Sequence, residues 1–244
     1  MLNLLLRVTL IVFFWTSGPF LPARHPPHPA LTVSPIEKIA EFGGPIRAVA
    51  LDGADAPISE GETIVRVPLI GDQAYQPTDR HPLGQGAILD LAHTSQALYA
   101  LTSQSLIILS SDARQTRYVL PGGGERLTLL NDLLLVTARQ AGAKLYTIQP
   151  NGELTIQTWI STPSENLQSG VVDDKTVALA DRSSGIRLLE LEGKKPAQFL
   201  SVLPSTAPPD GLAIFDHWLF STSGHRLNVI DANNTQNPGV VGQY

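Results

Sequence analysis

The sequence predicts an all-β fold, a β-propeller of about five four-stranded antiparallel blades. Three observations predict it. Polar breaks interrupt apolar runs at Asp52, His93, Asn131, Asp173 and Asp216, at intervals of 41, 38, 42 and 43 residues. A second turn series, Gly71, Asp112, Asn151, Gly193 and Asn233, keeps intervals of 41, 39, 42 and 40. The runs between turns are too short for helices, and many are apolar at consecutive positions, as strands covered on both faces are. Four strands in about forty residues, repeated in tandem, make a blade that needs neighbours to bury its two faces.

The N-terminus, "MLNLLLRVTLIVFFWTSGPFLPA" (1–23), has a weakly basic start, an apolar stretch from Val8 to Trp15, and small turn-forming residues behind it. That is the pattern of a secretory signal ending near Ala23. An uncleaved membrane anchor is the alternative, because residues 2–21 are about long enough to span a bilayer, though Arg7, Gly18 and Pro19 weaken the span. Both readings place the remainder outside the cytoplasm: secreted, periplasmic or membrane-anchored at the cell surface. Residues 24–35, "RHPPHPALTVSP", form a Pro-rich tether. The propeller domain is expected over 36–244.

In the first blade "IRAVAL" is a clear strand, but "GADAPISEGE" takes the place of a compact second strand before "TIVRVPL". The second blade gives "AILDLA", "ALYALT", "SLIILS" and "TRYVLP". The third gives "RLTLL", "LLLVTA", "AKLYTIQ" and "ELTIQTWI", the last two joined by the hairpin signal "PNGE". The fourth reads "SGVVD", "TVALAD", "IRLLELE" and "AQFLSVL", and the fifth "GLAIF", "WLFSTS", "RLNVID" and "GVVGQY".

The fifth blade resembles the LVIVD repeat, a propeller module of exported bacterial and archaeal proteins. Leu227, Val229, Ile230, Asp231, Pro238, Gly242 and Tyr244 match its "L-x-V-x-D" strand, Asn/Pro turn and terminal Gly-x-Tyr. The match covers this blade; the earlier ones share only the period. The family resemblance implies a propeller exported from the cytoplasm. Residues 35–42, "PIEKIAEF", resemble "NPGVVGQY" at 237–244, and both look like outermost strands. Residues 35–42 therefore clasp the last blade, or the chain is an arc of a larger ring. A closed ring of five blades is expected, since open strand edges invite pairing with other chains.

Composition removes several function classes. Charged residues are 16% of the chain and the net charge is −5, with Lys194–Lys195 the one adjacent basic pair, so nucleic acid is not an expected partner. With no cysteine, disulfides and thiolate chemistry are excluded. No Gly-x-Ser-x-Gly, Ser-x-x-Lys or His-Glu-x-x-His motif occurs. His81, His93, His217 and His225 occupy unrelated places in the repeat, so no metal site is expected, and no cofactor. "DGADAPISEGE" (52–62) holds Asp52, Asp55, Glu60 and Glu62 without calcium-loop spacing and is expected to be a solvated insertion. "PGGGE" (121–125) lacks the helix of a phosphate cradle and is expected to be a connection between blades.

One group of residues can converge although distant in sequence. Arg47, Asp90, Arg126, Gln168 and Asp210 each lie near the start of an innermost strand, in five blades. A mixed Arg/Asp ring at the channel mouth suits a polar, partly charged ligand. The expected function is non-catalytic recognition or scaffolding, with another protein, a cell-surface glycan or a small polar molecule as partner. Membrane contact is expected only through the N-terminal segment, and the oligomeric state stays open. The alternative is an extracytoplasmic hydrolase or lyase at the channel mouth, which would need axial carboxylates converging within roughly 5–10 Å.

Overall fold

The computed structural model describes residues 45–51, 53–71, 74–161, 167–173, 175–191, 197–204 and 207–244. The N-terminal stretch 1–23, the tether 24–35, the outer-strand reading of 35–42, Asp52 and Lys194–Lys195 lie outside them. The described residues contain no helix, and form five four-stranded antiparallel sheets, each a meander in chain order. Blade 1 comprises β1 (Ile46–Val49), β2 (Asp55–Glu60), β3 (Thr63–Pro68) and β4 (Asp79–Pro82). Blade 2 comprises β5 (Ile88–His93), β6 (Ala97–Thr102), β7 (Ser105–Ser110) and β8 (Gln115–Val119). Blade 3 has β9 (Arg126–Leu130), β10 (Leu133–Ala138), β11 (Gly142–Ile148) and β12 (Leu154–Ile160). Blade 4 has β13 (Leu167–Val172), β14 (Thr176–Asp181), β15 (Gly185–Glu190) and β16 (Gln198–Leu203). Blade 5 has β17 (Gly211–Phe215), β18 (Trp218–Ser223), β19 (Arg226–Asp231) and β20 (Gly239–Gln243). The fold is a β-propeller of five blades.

The turns form where their residues allow tight reversal. Asn131 and Asp216 open two-residue turns with φ of 52° and 55°, a region that Asn and Asp tolerate better than other side chains. Between β11 and β12, Gly152 takes φ +80° and the Asn151 side chain accepts the Glu153 amide at 3.1 Å. That "NG" reversal aligns Ile148 with Leu154.

The core lies between the sheets rather than within any one of them. Blade 1 meets blade 2 through Ala48, Ile64, Ile88, Leu98 and Ile107. Blades 2 and 3 share Tyr99, Leu101, Leu134, Val136 and Tyr146. Leu135, Leu145, Val177 and Leu179 join blades 3 and 4, and Val171, Leu188, Leu219 and Ile230 join blades 4 and 5. Each Leu, Ile or Val among them contributes about 1.5–3 kcal/mol on burial. Polar latches fix the stacking. The Tyr99 hydroxyl donates to the Gly152 carbonyl at 3.0 Å, Thr128 Oγ1 donates to the Gly170 carbonyl at 2.6 Å, and Ser201 Oγ donates to the Thr235 carbonyl at 2.6 Å.

Two expectations are corrected. The segment expected to be a solvated insertion contains the second strand of blade 1, β2, with Ala56 to Ser59 buried. Pro57 obscures it in sequence, because a proline cannot donate to the ladder. The pairing of β1 with β2 shifts register between Ile46 and Val49, and the buried Ser59 hydroxyl accepts the amides of Arg47 (3.0 Å) and Ala48 (2.8 Å) in place of a regular ladder. Asp55 and Glu60 end that strand and pair with Arg66 and Arg80.

The second correction concerns closure. Innermost strands touch in the order β1, β5, β9, β13, β17, but β17 makes no comparable contact with β1. Among the described residues, then, the ring is not closed by the innermost strands of blades 1 and 5 meeting.

Candidate functional site

The residues singled out by sequence are only partly gathered. Asp90 and Arg126 line one cleft of ≈ 340 Å³ along the innermost strands, with Leu127, Thr128, Ser169, Gly170, Gly211 and Leu212. Gln168 and Asp210 stand beside two of these lining residues without lining the cleft, and Arg47 is exposed on β1. Asp210 precedes β17, where its carboxylate accepts the Gly224 amide at 3.1 Å and lies 3.5 Å from Arg182 of blade 4.

Asp90 is held on both oxygens. Oδ1 accepts the Leu91 amide at 3.0 Å, and Oδ2 accepts the Leu127 amide of the next blade at 2.9 Å. Burial pushes its carboxyl above the ordinary carboxylate range, outweighing the lowering pull of those two amides and of Arg126. This carboxylate therefore bridges two blades as well as facing the cleft.

Larger clefts open at the other end of the innermost strands, where the first strand of each blade turns into the second. One, of ≈ 780 Å³, runs between blades 2 and 3 and is lined by His93–Gln96, Leu129–Asp132 and Thr147–Pro150. A second, of ≈ 650 Å³, spans the turns of blades 3, 4 and 5. Its floor is apolar: Leu130, Leu188, Leu200, Ile214 and Leu219. Its rim is polar, with Asn131, Asp173, Lys175, Asp216, His217 and Asn233.

The rim is shaped by local hydrogen bonds. Asp173 Oδ1 accepts the amides of Lys175 (2.8 Å) and Thr176 (2.6 Å), closing the turn between β13 and β14. The Asp216 carboxylate meets His217 Nδ1 at 2.7 Å, and the His217 ring packs on Trp218 with centroids 4.5 Å apart. Asp231 accepts the Asn233 amide at 2.9 Å. The side chains that end these strands therefore present backbone and amide groups in set directions above an apolar floor.

Sequence reasoning placed the site at the starts of the innermost strands and treated His93, Asn131, Asp173 and Asp216 as turn markers. Those markers are the signal that leads to the second end, since they recur once per blade at one end of equivalent strands. Lys175 and Leu200 carried no signal of their own, and Asn233 stood out only as a turn of the second series. His81 on β4 and His93 at the end of β5 line one cleft of ≈ 340 Å³ with Asp79, while His217 and His225 lie in two different turns. Among the described residues no group of three or more His, Cys, Asp or Glu is placed to hold a metal ion.

No family model and no curated protein matches the chain. Solved structures do. A functionally unknown protein from Desulfotomaculum acetoxidans superposes with a TM-score of 0.69 at 13% identity, over 83% of this chain and 70% of that one. The WD40 repeats of RRP9 superpose with a TM-score of 0.60 at 13% identity, over 73% of this chain and 60% of that one. At such identities the likeness is one of fold, and it agrees with the five sheets: this chain has a β-propeller fold.

Proposed function

We propose that this chain is a non-catalytic recognition module that acts outside the cytoplasm and binds another protein through the turn face of its propeller. The observation that carries the proposal is the ≈ 650 Å³ cleft across blades 3, 4 and 5, an apolar floor under a polar rim. Binding sites favour that combination, since apolar area supplies affinity and a few fixed polar groups supply orientation. A site built from three blades also reads a partner over a longer stretch than one loop could. The apolar N-terminus and Pro-rich tether, together with the LVIVD-like last blade, support export. The competing reading, a hydrolase or lyase at the channel mouth, draws on Asp90, whose raised carboxyl lines the inner cleft beside Arg126. The two amides on Asp90 give that carboxylate a structural task instead.

The test uses the affinity-tagged full-length chain, expressed in the organism that encodes it. Proteins retained by the parent are compared with those retained by a Lys175→Glu, Asn233→Arg double variant, both positions being exposed. At least a tenfold loss of a retained protein, in a variant with unchanged melting temperature, supports the turn face. Undiminished retention sends the site elsewhere. Recovery of the full-length chain as a soluble cytoplasmic protein would remove the export part of the proposal.

A further inference from the structure

Asn followed by Gly occurs once in the chain, at Asn151–Gly152, in the turn between β11 and β12. This dipeptide carries its own chemistry. The Gly152 nitrogen can attack the side-chain carbonyl carbon of Asn151, Cγ, and glycine has no side chain to shield that nitrogen. Attack forms an N–Cγ bond as the nitrogen gives its hydrogen to solvent base, and the Cγ–Nδ2 bond breaks to release ammonia. Water then opens the cyclic imide at either carbonyl, leaving aspartate or isoaspartate. In isoaspartate the main chain runs through Cγ and is one carbon longer.

The fold opposes that reaction at three places. Gln149 to Gly152 form a reverse turn, in which the Gly152 N–H donates to the Gln149 carbonyl at 2.8 Å. Asn151 Oδ1 accepts the Glu153 amide at 3.1 Å, which ties the side chain down within the turn. The Gly152 carbonyl accepts the hydroxyl of Tyr99, from the core of blade 2, at 3.0 Å. Tyr99 is 0% exposed and Gly152 is buried, while Asn151 is exposed. Bringing the Gly152 nitrogen onto Cγ turns the intervening peptide group and breaks the bond to Gln149. Blade 2 leaves Gly152 little room to follow, since a Cβ there would lie 3.0 Å from Ala97 Cβ.

We propose that Asn151 is a site of spontaneous conversion to isoaspartate, and that the seam between blades 2 and 3 gates it. The reaction proceeds when the turn lifts away from Tyr99 and Ala97, a local opening rather than unfolding. Once formed, isoaspartate does not fit back. The extra main-chain carbon has no space against Ala97, and a new carboxylate stands beside Gln149 and Pro150, which line the ≈ 780 Å³ cleft. Conversion therefore loosens the seam at that edge of the turn face, whatever the turn face binds.

The test follows the purified full-length chain in mild detergent at mildly alkaline pH. Mass spectrometry of peptides cut at acid pH measures the amide lost at Asn151. The parent unfolded in urea sets the unhindered rate, and the folded parent should react about tenfold more slowly or less. Tyr99→Phe removes one oxygen from a buried ring, and losing that hydrogen bond should raise the rate about fivefold or more. Ser201→Ala removes a comparable bond between blades 4 and 5 and should leave the rate as it was. A folded parent that reacts as fast as the unfolded chain overturns the proposal. So does Tyr99→Phe at the parent's rate, or an equal acceleration by Ser201→Ala. If Tyr99→Phe does not fold, the parent in rising urea decides. Its rate should climb before the circular dichroism changes, and a rate that climbs only with unfolding overturns the gate.

Discussion

Asp90 sits where two blades meet, and its carboxylate serves both. One oxygen closes on its own strand at Leu91 and the other takes the Leu127 amide of the next blade. Replacing it with alanine leaves the Leu127 N–H without its acceptor, and that should cost about 1–3 kcal/mol, or roughly 2–12 °C in melting temperature. The pH dependence has a definite sign. Burial raises the folded carboxyl above 3.8, so its favourable contribution is complete below that value and declines as pH rises through the folded value. The gap in melting temperature between parent and Asp90→Ala should therefore be widest in acid and narrow towards neutrality; a gap that widens instead would mean that the amides outweigh burial. Ser221 offers the opposite case. It is 1% exposed, and among the described residues its hydroxyl has no hydrogen-bond partner. Ser221→Ala removes a buried polar group that nothing satisfies, so thermal denaturation should show a melting temperature equal to or above the parent's.

The same interlocking governs whole strands. Blade spacing at β13 depends on Gly170, where a Cβ would lie 2.8 Å from Thr137 Cγ2 and 2.9 Å from Leu135 Cδ2. Gly170→Ala should destabilise by about 1–3 kcal/mol through overpacking between blades 3 and 4. Gly239→Ala, with nothing within 4 Å, should change stability by less than about 0.5 kcal/mol. Denaturant titration of both variants separates a packing effect from a general intolerance of glycine replacement. Most elements were legible in the sequence. In blades 2 to 5 the turn series isolates short apolar runs, and "ALYALT", "SLIILS", "LLLVTA" and "TVALAD" coincide with β6, β7, β10 and β14. Blade 1 was less so. Pro57 looks like a strand breaker, and the feature that accommodates it, a bulge with Ser59 bonding two amides, exists only once β1 and β2 are together.

At the scale of the molecule, burial lies between blades, so the propeller should unfold in one cooperative transition, with calorimetric and van't Hoff enthalpies in agreement. Separate transitions would mean that blades hold themselves independently. The period of about forty residues made the blades visible but not how the first and last are related, because closure depends on matching two distant faces. The candidate site was half legible for a related reason. Asp90 and Arg126 do share a cleft, whereas the larger cleft uses Leu188 and Leu219, which double as core residues and look like any other strand interior. The claim that the turn face is the recognition surface is tested most directly by hydrogen exchange on the chain alone and in complex with its retained partner. The account predicts slowed exchange at the turns around Asn131, Asp173 and Asp216. Slowed exchange confined to the innermost strands around Asp90 and Arg126 would contradict it.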